Sequence, residues 1–133
     1  MTTRILIAED NTMIALMAQM DLEGAGYEVL GPFARNAPSL AAAEAKRPDL
    51  ALVDIDLAGG DNGVELARRL KADLGVPSLF VSGQSNLAAA NADAALGVLG
   101  KPFNSKLLVA AVENALVAAK GEAPAAEVEV TWF

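Results

Sequence analysis

The residues of this chain that can do chemistry are few, and most are acidic. Glu9 and Asp10 follow the apolar run RILIA, Asp54 ends LALVD with Asp56 two residues on, Ser82 follows SLFV, and Lys101 follows LGVLG. The 133 residues include no cysteine and no histidine. Disulfides, thiol catalysis, cysteine-ligated metal and the imidazole proton shuttle are therefore excluded, and a reducing compartment is natural. Carboxylates remain. Each can act as a nucleophile toward phosphorus or carbon, as a ligand for a hard cation such as Mg²⁺, or as a helix cap. Taken singly, Asp10 also fits an N-cap, Ser82 a turn residue and Lys101 a surface charge, so the elements that carry them must decide.

Those elements alternate. Arg4 to Ala8, Tyr27 to Leu30, Leu50 to Val53, Ser78 to Val81 and Leu96 to Leu99 are short apolar runs bounded by turn residues, the pattern of strands buried on both faces. Between them lie helical segments. Asn11 or Thr12 caps the first, with Met13, Leu16, Met17 and Met20 at helical spacing as its expected core stripe, and Gly24 and Gly26 end it. Pro38 and Ser39 open a second, running to about Lys46. Asn62 caps the third, whose inner stripe is Val64, Ala67, Leu70 and Leu74. The fourth, about Asn86 to Ala95, offers little but alanine to a core and is expected to be the most weakly held. Asn104 or Ser105 caps the fifth, with Leu107, Leu108, Ala111, Val112, Ala115 and Leu116 on one face.

A βα unit repeated five times predicts one α/β domain, a doubly wound five-stranded parallel sheet. Right-handed crossovers bring the carboxyl ends of such strands to one edge, so Glu9, Asp10, Asp54, Ser82 and Lys101 are expected together there. Three carboxylates converging without a cation would repel one another, and a bound metal is the economical explanation. A net charge of −7 argues against binding a phosphate backbone, and the basic cluster Arg68, Arg69 and Lys71 reads as the wet face of a helix. MTTRILIAED has no leader-like apolar core, and the uncharged stretch Leu74 to Ala92 is interrupted by Pro77 and Gly83. A soluble, cytoplasmic protein without a membrane span is expected.

The acidic pair after strand one, the lone Asp after strand three, Ser after strand four and Lys-Pro-Phe after strand five together resemble the receiver domain of bacterial two-component response regulators, CheY-like in form, over about residues 3–119. The resemblance implies strand order 2-1-3-4-5. It implies that Asp54 accepts a phosphoryl group from a histidine kinase or histidine phosphotransfer protein. Glu9, Asp10, Asp54 and the main-chain carbonyl of Asp56 would hold Mg²⁺, Ser82 would bond a phosphoryl oxygen, Lys101 would pair with the phosphate, and the Lys101–Pro102 bond would be cis. Such a domain signals through a protein partner, here expected across helix four, strand five and helix five. Two positions depart from the pattern: Val98 stands where relatives usually carry Tyr or Phe, and Asp56 places a carboxylate where many carry a neutral residue.

Two rival readings remain at this stage. VDIDL also resembles the DxDx(T/V) signature of haloacid-dehalogenase phosphatases, but that motif normally follows the first strand and its fifth position here is Ala58. A degenerate receiver serving only as a binding module is the other, against which the complete acidic set, Ser82 and Lys101 speak. The receiver is read as residues 1–120, standing alone. Residues 121–133 form a tail whose Val128, Val130, Trp132 and Phe133 alternate in polarity, either flexible or docked on the body or a partner.

Overall fold

β3, Leu50–Asp54, is buried at all five positions because sheet neighbours flank it and helices cover both its faces. The computed structural model describes residues 2–83, 85–124 and 129–133. Around β3 stand β1 (Arg4–Ala8), β2 (Glu28–Phe33), β4 (Ser78–Ser82) and β5 (Gly97–Gly100), with β6 (Val130–Trp132) at one edge. The order is 2-1-3-4-5-6. β1 to β5 run parallel, and β6 pairs antiparallel with β5. The sheet thus has six strands rather than the expected five. The alternating residues Val130 and Trp132 add a strand too short to stand out in sequence; Val128 lies outside the described residues.

Alternation along each strand divides the core in two. Ile5, Ile7, Leu50, Leu52, Leu79, Val81 and Leu99 face helices α1 (Thr12–Gly24) and α5 (Ser105–Ala119). Leu6, Ala51, Val53, Phe80 and Val98 face α2 (Asn36–Ala45), α3 (Gly63–Leu74) and α4 (Ser85–Ala89). Caps open the helices near the carboxyl edge of the sheet. Asn11 Oδ1 accepts from Ile14 N at 3.1 Å, Asn62 Oδ1 from Val64 N at 2.7 Å, and Asn104 Oδ1 from Leu107 N at 2.8 Å. Each satisfies a donor that the first helical turn leaves orphaned.

Three details differ from expectation. β2 does not stop at Gly31-Pro32 but continues through that bond to Phe33, and a register shift lets Ala8 pair with Phe33. Proline is tolerated there because β2 is an edge strand, where a missing donor costs no ladder bond. α4 closes after one turn and a half, because Asn91 Nδ2 bonds Leu87 O at 3.0 Å and Asn91 N bonds Ala88 O at 3.0 Å. The third difference lies on α1. Its buried side is Ala15, Ala18 and Leu22, whereas Met13, Leu16, Met17 and Met20 are 71, 53, 49 and 63% exposed. At about 100° per residue the two sets lie on opposite sides of the helix. Small alanines bring α1 close to the sheet, and the large apolar stripe is left outside.

Candidate functional site

The first carboxylate is positioned by the strand beside it. Glu9 N donates to Phe33 O at 2.9 Å, so the extended β2 holds the end of β1 in place. Glu9 is 6% exposed; its Oε2 accepts from Asn11 N at 3.1 Å and its Oε1 meets Lys101 Nζ at 2.9 Å. Asp10 is exposed, and Asn11, not Asp10, caps α1. Asp54 closes β3 and is 5% exposed. Its Oδ1 accepts from Asp56 N at 3.1 Å and its Oδ2 from Lys101 Nζ at 2.9 Å. Ser82 closes β4 and is buried, while Asp56 is exposed. Lys101 follows β5, held by its N–H to Ser82 O at 2.9 Å, and the Lys101–Pro102 bond is cis.

Single carboxylate oxygens of Glu9, Asp10 and Asp54 all lie within 4.8 Å of one another. Their electrostatics follow from that crowding. Burial raises the Glu9 carboxyl from 4.5 to about 7, and its hydrogen bond with the Asp54 side chain adds to the rise against the pull of Lys101. Burial alone would lower Lys101, but Glu9 and Asp54 outweigh it and hold the ammonium above its ordinary value. A near-neutral Glu9 marks a donor set short of positive charge. Oxygen ligands in this number and of this hardness fit Mg²⁺, which takes few carboxylates and keeps several waters.

Sequence reasoning passed over three features of the surroundings. The loop after β3 is latched to the loop after β2: Ala58 N bonds Ala34 O at 3.0 Å, Asn36 N bonds Asp61 Oδ2 at 2.8 Å, and Arg35 Nε stands 3.5 Å from Asp61. A groove of about 170 Å³ runs between the exposed side of α1 and the Lys101 loop, lined by Ile14, Met17, Asp21, Lys101, Pro102 and Phe103. Gly63, the first residue of α3, packs so close to β3 that a Cβ there would collide with the Asp54 main-chain oxygen. Its only sequence signal is a glycine just inside a capped helix. Gly63→Ala should therefore lower stability by about 2 kcal/mol or more in denaturant melts, since backbone cannot yield as a side chain does. A change within 0.5 kcal/mol would show that the helix can retreat without cost.

A model of the response regulator receiver domain matches residues 5–113, most of the chain. The chain belongs to that family. This receiver is 33% identical over 119 residues to the phyllosphere-induced regulator PhyR of Methylorubrum extorquens, covering 87% of the chain and 44% of PhyR. It is 34% identical over 125 residues to the DNA-binding response regulator MtrA of Mycobacterium tuberculosis, covering 87% of the chain and 51% of MtrA. The receiver thus spans about half the length of these curated relatives. Among solved structures, a CheY-like receiver domain protein from Methanospirillum hungatei superposes with a TM-score of 0.77 at 29% identity, over 91% of this chain and 98% of that one. Within the receiver, Val98 is 4% exposed, pairs with Phe80 and faces the α2–α4 side. Among the described residues no helix is long and apolar enough to cross a membrane.

Proposed function

We propose that the receiver, residues 1–120, accepts a phosphoryl group on Asp54 from a histidine kinase or histidine phosphotransfer protein and passes the signal to a protein partner from the cytoplasm. The observation that carries the reading is Lys101 Nζ, 2.9 Å from both Glu9 and Asp54 at the buried end of the central strand. An Asp54 oxygen forms the new O–P bond as the P–N bond to the donor imidazole breaks, and the imidazole takes up a proton. Phosphoryl transfer needs little covalent help, mainly in-line placement and neutralised oxygens. Lys101 supplies one fixed cation and Ser82 a small hydroxyl donor. Glu9, Asp10, Asp54 and the Asp56 carbonyl would hold Mg²⁺, which supplies further neutralisation of the phosphoryl oxygens.

The exposed Met13, Leu16, Met17 and Met20 stripe starts beside the site and borders the groove to Lys101, a suitable seat for the donor. Output is assigned to the opposite flank of Lys101, across α4, β5 and α5. With acetyl phosphate and Mg²⁺, intact mass should show one added phosphoryl group that hydroxylamine removes, and Asp54→Asn should take none. An unmodified wild type would reduce the receiver to a phosphorylation-independent binding module, and an adduct that persists in Asp54→Asn would place the acceptor elsewhere.

A further inference from the structure

We infer that the outer edge of β5 is a groove for an extended segment of the downstream protein, and that β6 is a tethered stand-in for that segment. The inference rests on the reading of the receiver as a module that signals through a protein partner. β6 adds a strand against the direction of the five that precede it, and is only three residues long. Its register matches side chain to site: Val130 opposite Leu99, Thr131 opposite Val98, and Trp132 opposite Gly97. Val130 and Trp132 pack against the core that α5 shares with the sheet.

Gly97 makes the notch. A Cβ there would stand 2.6 Å from Thr131 O and 3.1 Å from Trp132 Cε3, so the missing side chain is what lets the β6 main chain pair this closely and leaves room beside it for the aromatic ring. Phe133 N closes the pairing with a 2.9 Å bond to Leu96 O, yet Phe133 itself remains 41% exposed. An edge strand recognises an added strand through main-chain bonds, and alternate side-chain positions supply the specificity. The partner segment that fits is therefore extended, with a branched apolar residue two positions before an aromatic one. The same β5 pairs on its inner side with β4 up to Ser82 and leads directly into Lys101, so groove and phosphoryl site share one strand.

Residues 120–129 link α5 to β6, so the stand-in competes from the same chain and a partner segment must displace an intramolecular strand. The test uses a fluorescein-labelled peptide EVEVTWF, the sequence of residues 127–133, read by anisotropy on the full chain. Trp132→Ser, which loosens β6, should bind it saturably and at least tenfold more tightly than wild type. Adding Gly97→Ala to Trp132→Ser should abolish binding. In wild type, hydrogen exchange at Val130 to Phe133 should run at least tenfold faster than in β3, since a strap opens without global unfolding.

Failure of Trp132→Ser to bind, or binding indifferent to Gly97→Ala, would overturn the groove. So would β6 exchange as slow as that of β3. Shielding of Trp132 that grows with chain concentration would make the strand an exchange between copies and overturn the tethered assignment. Phosphorylation of Asp54 in Trp132→Ser, followed by mass, reports the fold and keeps the outcomes separate: a phosphorylated variant that ignores the peptide refutes the groove and leaves phosphoryl acceptance standing.

Discussion

Replacing Lys101 with alanine should slow phosphorylation of Asp54 by acetyl phosphate about 100-fold or more, the usual cost of removing one preorganised group from a site of developing charge. Lys101 Nζ reaches Glu9 and Asp54 at 2.9 Å each, with its side chain only 22% exposed. It is held protonated by both carboxylates, so its charge is present at any working pH. No other cation is shown reaching Asp54 or Glu9 among the described residues. Stability should change less than rate, because Glu9 can take a proton and relieve the buried charge. Lys101→Arg should recover part of the rate, keeping the charge but not the compact ammonium. Initial rates by intact mass decide the matter, and a Lys101→Ala rate within threefold of wild type would remove Lys101 from the reaction.

The second large effect is a pH dependence written into Glu9. Its folded-state value of about 7 lies above the ordinary 4.5, so the folded receiver favours the protonated form. Below about pH 4.5 both folded and unfolded chains hold the proton, and the contribution to stability is complete. Between 4.5 and 7 the unfolded chain releases the proton while the folded one keeps it, and stability falls. Above 7 the loss is complete, roughly 3 kcal/mol at most for a shift of this size.

Glu9→Gln cannot ionise there. In EDTA it should be more stable than wild type above pH 7 and should lack that decline. Mg²⁺ competes with the proton, so its affinity for wild type should rise with pH through 7. At ten times its dissociation constant the ion should stabilise wild type by about 1.4 kcal/mol, and Glu9→Gln should show much less. Denaturant melts from pH 5 to 8, with and without Mg²⁺ at constant ionic strength, test both statements. Parallel curves for the two proteins would place the titration on another group.

Much of this fold was legible in the chain because burial on both sheet faces leaves a continuous apolar signature. RILIA, LALVD and SLFVS are strands that no amphipathic helix would imitate at that length, and Asn11, Asn62 and Asn104 mark helix starts by a local bond that needs no tertiary partner. Chirality of the crossovers then sends Glu9, Asp10, Asp54, Ser82 and Lys101 to one edge, where the structure has them. Sequence alone could not tell which face of α1 turns inward. Hydrophobicity favoured the methionines, but the distance between helix and sheet is set by the side chains between them, and Ala15 and Ala18 permit the closer approach. Nor does the chain disclose β6, since three residues carry too little pattern and their place depends on Gly97, far away in sequence. The collision at Gly63, the notch at Gly97 and the raised Glu9 carboxyl are properties of distance between remote residues. Periodicity speaks for neighbours along the chain, and only the folded packing sets distances across it.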